Sequence, residues 1–584
     1  GAAAGDAAVA AGTLEASTVV FGAGTGKLVF NHTDTDYQFA PVISGAGSVA
    51  VHAGTTEFAG NHAYSGGTTI TGGQLTVNGA ITSDTSVTGS GVLGGSGQLG
   101  TVTVGSGGTL APGNSIGTIA AGNTVFDAGS SYAVEINADG DSDLLNVTGT
   151  VTIATDVTLN ITLETLGEDG STYAPSTDYT IITASDGVTG TFETVTDSFA
   201  FLDAGVSYDA NNVQLALTRN GKTLEDMAAT ANQTATANAV DSLGSGATLY
   251  DAVVLLEDDE VAAAYDSLSG EAHGSAQSLV FQNDAVITDN ILDHMRGTTG
   301  AGLAPAVSRG TFAPSRDTWG TVFGFWAETE GTENVAAMER RGGGALAGVD
   351  LVATPGLQLG VTLGVSGADY DITDRQSSGT ARAANLGVYG STQRGPMNLR
   401  FGATYGYHEI ESERSVAVGA TRDELSASYN AQSAALFAEA SYGIAQFEPF
   451  INTSYTLVET DGFTETGGGA SALTVDAASQ DVVLATLGVR AAHDIMLGSN
   501  HASLAGSVAW QHAAGDLAAQ MDAAFDGSAT FRIEGAPIAT DTAVITTGID
   551  VDLGARTSIG FGYTGQLSAD AQRHTLQASL TKSF

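Results

Sequence analysis

The last twelve residues, RHTLQASLTKSF (573–584), alternate strictly between apolar and polar. Leu576, Ala578, Leu580 and Phe584 fall on one face, and Thr575, Gln577, Ser579, Thr581 and Ser583 on the other. Only Lys582 breaks the apolar face, close to the end, where a long side chain can reach an interface. The same period of two recurs from Thr318 onward. In NLRFGATYGYHEI, Leu399, Phe401, Ala403, Tyr405 and Tyr407 oppose Arg400, Thr404 and His408. In DVVLATLGVRAA, Val483, Ala485, Leu487 and Val489 oppose Thr486 and Arg490, and in ASLAGSVAWQ, Leu504, Val508 and Trp510 oppose Ser503, Ser507 and Gln511. RTSIGFGYTGQ puts Ile559, Phe561 and Tyr563 on one face. A period of two predicts half-buried strands, about twelve of them.

The connections between these strands alternate in length. Long links such as TEGTENVAAMERRGGG, DITDRQSSGT, ESERSVAVGATRDE and TDGFTETGGGASALTVDAASQ are interleaved with short ones such as TPGL, TQRGP and GIAQ. A soluble sandwich has no reason to sort its links this way. A bacterial outer-membrane barrel does, with an even number of strands, long loops outside and short turns in the periplasm. On that reading Leu576 and Leu580 face lipid, and Thr575, Gln577 and Ser579 face a polar lumen. Backbone groups in hydrocarbon must all be paired, so the last strand is expected to close on the first.

The front of the chain follows a different rhythm. YSGGTTITGGQLTVNG places Ile70, Leu75 and Val77 in short runs separated by Gly-Gly and Asn-Gly turns, and TSVTGSGVLGGSGQLGTVTVGSGGTLAPG repeats the scheme. Such rungs bury nothing alone but form a core when stacked, which predicts a parallel β-helix, with an antiparallel sandwich as the alternative. The longer alternating runs NVTGTVTIATDVTLNITLETL and DYTIITA are expected to cap the solenoid. Between the two β regions the period lengthens. In GSAQSLVFQNDAVITDNILDHMRG, Leu279, Ile287, Ile291 and Met295 recur at steps of four or eight, which predicts helix.

Composition narrows the function classes. The 584 residues include 78 Gly, 9 Pro and no Cys, so disulfide and thiolate chemistry are absent. Mean hydropathy is +0.09, yet no run approaches the ~18 residues of a spanning helix. The formal net charge is -45, and before residue 295 the only cations are Lys27, Arg219 and Lys222. Phosphate contacts need Lys and Arg, so nucleic-acid binding by the front half is not expected. The N-terminal GAAAGDAAVAAGTLEAS lacks the basic start and apolar core of a signal peptide, and the chain is expected to begin partway through a longer precursor.

Taken together these segments resemble the monomeric autotransporters of Gram-negative bacteria (type V secretion). YSGGTTITGGQLTVNG resembles the passenger-associated repeat of that family. SGGTLAPGNSIGTIAAGNTVFDAGSSYAVEINADGDSDLLNVTGTVTI resembles its autochaperone or junction region. YDSLSGEAHGSAQSLVFQNDAVITDNILDHMRG resembles the helical linker, WGTVFGFWAETEG the first translocator strand, and the terminal SF the signal read by the outer-membrane assembly machinery. The resemblance implies an all-β chain in three parts. Residues 1–218 would be a right-handed parallel β-helix, with the autochaperone from about 100. Residues 219–298 would be an α-helical linker whose last helix threads the barrel. Residues 299–584 would be a 12-stranded antiparallel transmembrane β-barrel with that helix in its lumen. It further implies translocation and surface display of the chain's own passenger, with an adhesive or other surface role. The implied partners are outer-membrane lipid, the barrel assembly machinery through Phe584, periplasmic chaperones, and a host or neighbouring-cell ligand. The alternative is the remnant of a secreted protease or esterase whose catalytic domain lies upstream.

Several strings imitate catalytic or metal motifs. GNSIG (113–117) matches G-x-S-x-G, but its flanks read as β rungs where a nucleophile elbow needs strand, turn and helix. GDSDL (140–144) approaches a Gly-Asp-Ser-Leu block with an extra Asp and reads better as a turn. NADGDSD (137–143) gathers carboxylates suited to Ca²⁺ but lacks the spacing and terminal Glu of an EF-hand, so a solvated turn is expected. His273 has no Cys or Ser partner at recognisable spacing, and no paired His/Cys set for zinc is present. Some members of the resembling family cut their own linker inside the barrel using an Asn or acidic residues. Asn283, Asp284 and Asp289 fall in the predicted helix, and Glu439 and Arg490 on lumen-facing positions; pore-lining groups that balance one another are the favoured reading. No catalytic, cofactor or metal residue is therefore assigned, and the chain itself is not expected to be an enzyme.

Overall fold

The computed structural model describes all residues except 4, 25, 138–139, 164–177, 299–316, 355, 420, 555–556 and 584. Two compact units emerge, one of Gly1–Thr223 with Ser245–Val261, the other of Leu224–Gly244 with Ala262–Phe584.

Among the described residues the first unit is built on three sheets that wind around one core. A 10-stranded sheet begins at Thr18–Phe21 and ends at Leu202–Tyr208. Two 8-stranded sheets run from Lys27–Asn31 to Val188–Thr189 and from Tyr37–Gln38 to Thr194–Thr196. Neighbouring rungs pair in parallel, so like residues stack: Leu75, Leu93, Leu110, Tyr132 and Leu159 form one buried column. Val51, Ile70, Val87, Val104, Phe126 and Ile153 form another. No single rung supplies a core; the column does. The sandwich alternative is thereby excluded. The strands Leu144–Val147, Val151–Ile153 and Thr158–Leu163, expected to cap the solenoid, continue it as parallel rungs. The cap is instead the antiparallel hairpin Leu202–Tyr208/Asn212–Arg219, laid on Asp178–Ala184. Alternation marks a half-buried strand but not the direction of its partner, which is why the sequence misplaced the cap.

Four helices follow: α1 (Ala231–Leu243), α2 (Thr248–Val254), α3 (Val261–Leu268) and α4 (Glu271–Thr298). Thr230 caps α1 by accepting from the Gln233 N–H. No described helix is long and apolar enough to cross a membrane.

Twelve antiparallel strands then close a barrel: β1 (Asp317–Thr329), β2 (Met338–Thr354), β3 (Leu357–Ile372), β4 (Ser377–Arg394), β5 (Met397–Val418) and β6 (Thr421–Tyr442), followed by β7 (Phe447–Thr460), β8 (Ala478–Leu497), β9 (Asn500–Gly515), β10 (Asp541–Gly554), β11 (Thr557–Leu567) and β12 (Ala571–Ser583). β12 pairs with β1 from Ser583↔Asp317 to Ala571↔Thr329, which leaves no edge. Phe584 lies outside the described residues. The predicted faces hold. Leu363, Leu487, Leu576 and Leu580 point outward and are more than half exposed, while Arg400, His408 and Arg490 point inward and are buried. The exposed apolar girdle is the surface that lipid covers.

The long links differ from expectation. The DITDRQSSGT and ESERSVAVGATRDE links are mostly strand: β3 gives way to β4 across residues 373–376, and β5 to β6 across 419–420. The hairpins outlast the apolar girdle, as the outward Glu409, Glu411 and Glu413 beyond Tyr407 show. MERRGGG, read as loop, opens β2; Gly342 and Gly344 leave room for the Phe325 and Phe323 rings, which a Cβ would meet at 2.7 and 2.6 Å. The two longest links carry a four-stranded sheet of their own: Phe463–Thr464, Leu473–Val475, Gln520–Phe525 and Phe531–Glu534.

Candidate functional site in the barrel lumen

α4 runs through the lumen and packs on β3–β7. Leu279, Ile287, Ile291 and Met295, the residues that predicted the helix, are all buried, as are Val280, Phe281, Val286 and Leu292 on its other sides. Buried along most of its length, the helix needs polar partners wherever its own polar residues meet the wall. The alternating strands supply them in three tiers.

The first tier lies at the long-link mouth. Glu465, between the first two strands of the extra sheet, accepts from Arg414 Nε at 2.6 Å and Nη2 at 2.7 Å, from the Leu473 N–H at 2.8 Å, and contacts His273 Nε2 at 2.8 Å. Burial alone would raise this carboxyl; Arg414 and His273 outweigh it and hold it well below the usual carboxylate range. Phe463 stacks on Tyr429 at 3.9 Å and meets the His273 ring edge-on at 4.8 Å. Glu271, at the start of α4, accepts from the Ala336 N–H at 2.7 Å and from Arg375 Nε at 3.0 Å. The Asn232 amide of α1 acts as a strand partner, donating to Glu534 O and accepting from Glu534 N, each at 2.9 Å. The first turn of α4 crosses the sheet backbone at Gly274 and Gly535, where a Cβ on Gly535 would lie 2.1 Å from Gly274 C. His273 is thus held by a partner 192 residues away.

The second tier is at mid-barrel. Asp284 Oδ2 lies 3.5 Å from His408 Nε2, which is 2.9 Å from Ser433 Oγ. Asn283 is buried nearby on the same helix. Farther along, Trp319 Nε1 donates to Tyr389 Oη, and Tyr389 Oη to Asp350 Oδ1, both at 2.7 Å. His294 stacks on Trp319 at 4.3 Å and reaches Asp350 at 3.4 Å. A register shift between Asp350 and Val352 turns Asp350 inward while Leu351 and Val352 stay outside.

The third tier closes the short-turn end. Glu439 is shared by three guanidiniums: Arg400 Nη1 at 2.7 Å, Arg490 Nη1 and Nη2 at 3.0 and 2.7 Å, and Arg296 Nη2 at 2.5 Å. Glu448 lies 3.6 Å from both Arg400 and Arg490, and Asp293 lies 2.6 Å from Arg296. Three cations thus meet three carboxylates. Arg490 also lies over the Phe450 ring at 4.1 Å.

The sequence placed Glu439 and Arg490 in the lumen, and they are together there. It did not bring them to Asn283: Arg296, their partner on α4, is 13 residues farther on, about 20 Å along the helix. Asp289 pairs with Arg573 at 3.6 Å. Arg296, Arg414, Glu465 and Glu271 were missed, because nothing in a sequence says which polar positions meet. In the solenoid, GNSIG lies between the strands Thr109–Pro112 and Thr118–Ala121, with no helix after it. Asp143 of GDSDL and NADGDSD is buried, against the expectation of a solvated turn; its carboxylate accepts from Gly117 N and Glu135 N, both at 2.9 Å, and so pins GNSIG. Among the described residues no cluster of His, Cys, Asp or Glu has metal-binding geometry.

A closed twelve-stranded cylinder, apolar outside and threaded by a helix held by ion pairs, defines a plugged transmembrane β-barrel. Residues 318–564 match the family model of the autotransporter beta-domain. The barrel is accordingly that of a Gram-negative outer-membrane protein with a surface-exposed passenger. Two curated relatives, each named "Extracellular serine protease" and each from Serratia marcescens, are 29% and 28% identical over 82% and 81% of the chain. The chain spans about half the length of these relatives, 50% and 49%. Similar solved structures include the translocator domain of autotransporter NalP from Neisseria meningitidis, with TM-score 0.40, 14% identity, 52% of this chain and 98% of that one. The transport unit of the autotransporter AIDA-I from Escherichia coli gives TM-score 0.32, 14% identity, 50% and 98%.

Proposed function

We propose that the barrel translocates and displays the β-helical segment of its own chain, with residues 1–218 as passenger, 219–298 as linker and 299–584 as translocator. The observation that carries the reading is the direction of α4. Its first residues meet Glu465 and Arg375 at the long-link mouth, and Arg296 near its end meets Glu439, three residues from the end of β6 at a short turn. Long links face outside in bacterial barrels, so the chain N-terminal to α4 leaves through the outer mouth. Folding of the solenoid outside, which buries its apolar columns, would bias transport outward. The closing strand β12 is the segment that the outer-membrane assembly machinery would read, and periplasmic chaperones would hold the chain before insertion. The stacked rungs offer a repeated surface suited to adhesion to a host or neighbouring cell. The names of the relatives are consistent with a second reading for the whole protein: a serine protease domain N-terminal to Gly1, with this chain as its display end. A Ser, His and Asp set in the upstream sequence would support it; further Gly/Thr repeats would favour the adhesin. Protease treatment of intact cells tests the common part. Loss of the front half with a protected, heat-modifiable C-terminal fragment supports translocation, and protection of the whole chain defeats it.

A further inference from the structure

The lumen holds one guanidinium that the three tiers do not neutralise. Arg340 on β2 and Arg573 on β12 flank Ala327 on β1, which pairs with both. Two interstrand steps place their backbones about 10 Å apart, and the methyl of Ala327 leaves the space between them open. Arg340 is 4% exposed. Its Nη2 donates to Thr329 Oγ1 at 3.4 Å, its Nε and Nη1 have no partner, and no described carboxylate pairs with it. Arg573 donates from Nη1 to Gln282 O at 3.0 Å and approaches Asp289 at 3.6 Å, while its Nε has no partner. Both line a cavity of ≈ 70 Å³ bounded by Gln282, Asp289, Thr329 and Asn452. That is roughly two water volumes. Two guanidiniums face one carboxylate there, whereas Arg296, Arg400, Arg414 and Arg490 each have a carboxylate at 2.7 Å or less.

A guanidinium does not shed its proton in a protein, and a buried cation without a counter-charge is costly. We infer that the cavity between Arg340, Arg573 and α4 is a binding site for a small inorganic anion of halide size. The anion supplies the second negative charge and accepts from the unused Arg340 Nη1. It also ties β1, β2 and β12, the seam where the barrel closes, to the helix.

The test uses the full chain, folded and extracted in detergent, with bromide as the probe. Crystals grown in sodium bromide are expected to show an anomalous peak in contact with both guanidiniums. The heat-modifiability midpoint is expected to rise with bromide and saturate when gluconate keeps ionic strength constant. Arg340→Gln is expected to lose that response and Arg340→Lys to keep part of it. An empty cavity in bromide, or an equal response in wild type and Arg340→Gln, overturns the site.

Discussion

Removing the Glu439 carboxylate is the sharpest probe of how the helix is held. Glu439 is fully buried and meets Arg296, Arg400 and Arg490 at 2.5, 2.7 and 2.7 Å. Deleting one partner of a buried ion pair costs about 3–5 kcal/mol, because the remaining charge is left uncompensated. Three cations lose their shared anion here, but the losses do not sum. Glu448 stays 3.6 Å from Arg400 and Arg490, and Asp293 stays 2.6 Å from Arg296. Glu439→Ala is therefore expected to lower barrel stability by about 3–5 kcal/mol. Glu439→Gln, which still accepts hydrogen bonds, is expected to fall between it and wild type. The assay is the gel-shift midpoint of the folded barrel with urea, read beside conductance in planar bilayers, which should rise as the C-terminal end of α4 comes loose. Because Arg296 is the contribution of the helix to the cluster, Glu439→Gln and Arg296→Gln should be less than additive, with a coupling of about 1–3 kcal/mol. An unchanged midpoint in Glu439→Ala, or additivity of the pair within about 0.5 kcal/mol, would refute the claim that this cluster seats the helix.

Three further outcomes are expected. Leu363→Arg places a charge on the outward girdle and should cost about 2–4 kcal/mol in a bilayer; a neutral effect would mean that this face meets water. Gly535→Val should detach the extra sheet from α4, since even a Cβ falls 2.1 Å from Gly274 C; residues 516–540 should become protease-sensitive while the barrel midpoint stays within about 0.5 kcal/mol. In the solenoid, His62 Nδ1 accepts from the Ile43 N–H at 3.0 Å, the ring packs on Phe58 at 4.4 Å, and burial lowers its pKa to about 4. Its stability contribution is intact above about pH 6.5, where both states are neutral. Between pH 6.5 and about 4 the unfolded chain takes up the proton first, and the rungs around Ile43 lose up to about 2–3 kcal/mol. Limited proteolysis of the full chain at pH 7 and pH 5, with His62→Gln as control, reads the effect; equal sensitivity at both pH values would contradict it.

The barrel was legible because lipid and lumen demand opposite residues at adjacent positions, so each strand writes its own orientation. Leu399, Phe401, Tyr405 and Tyr407 against Arg400 and His408 is such a record, and the outward and inward faces follow it along β5 on both sides of residues 402–404. The rungs were legible through stacked Ile70, Leu75 and Val77, but the capping hairpin was not, because antiparallel Asn212–Arg219 alternates as a parallel rung does. The extra sheet escaped notice because strands of two to six residues inside a loop carry too few positions for a period. The ion clusters escaped for a different reason. Glu439, Arg400, Arg490 and Arg296 lie on four elements, and only closure of the cylinder around the helix brings them together.

The central claim is that the short turns face the periplasm while the long-link mouth and the solenoid face outside. The chain has no Cys, so single cysteines report position cleanly. Asn114→Cys in the solenoid, Asp374→Cys between β3 and β4, and Ser499→Cys between β8 and β9 are all at exposed positions. A membrane-impermeant maleimide applied to intact cells should label the first two and leave Ser499→Cys untouched until the outer membrane is opened. Labelling of Ser499→Cys on intact cells, with Asn114→Cys and Asp374→Cys protected, would contradict the account.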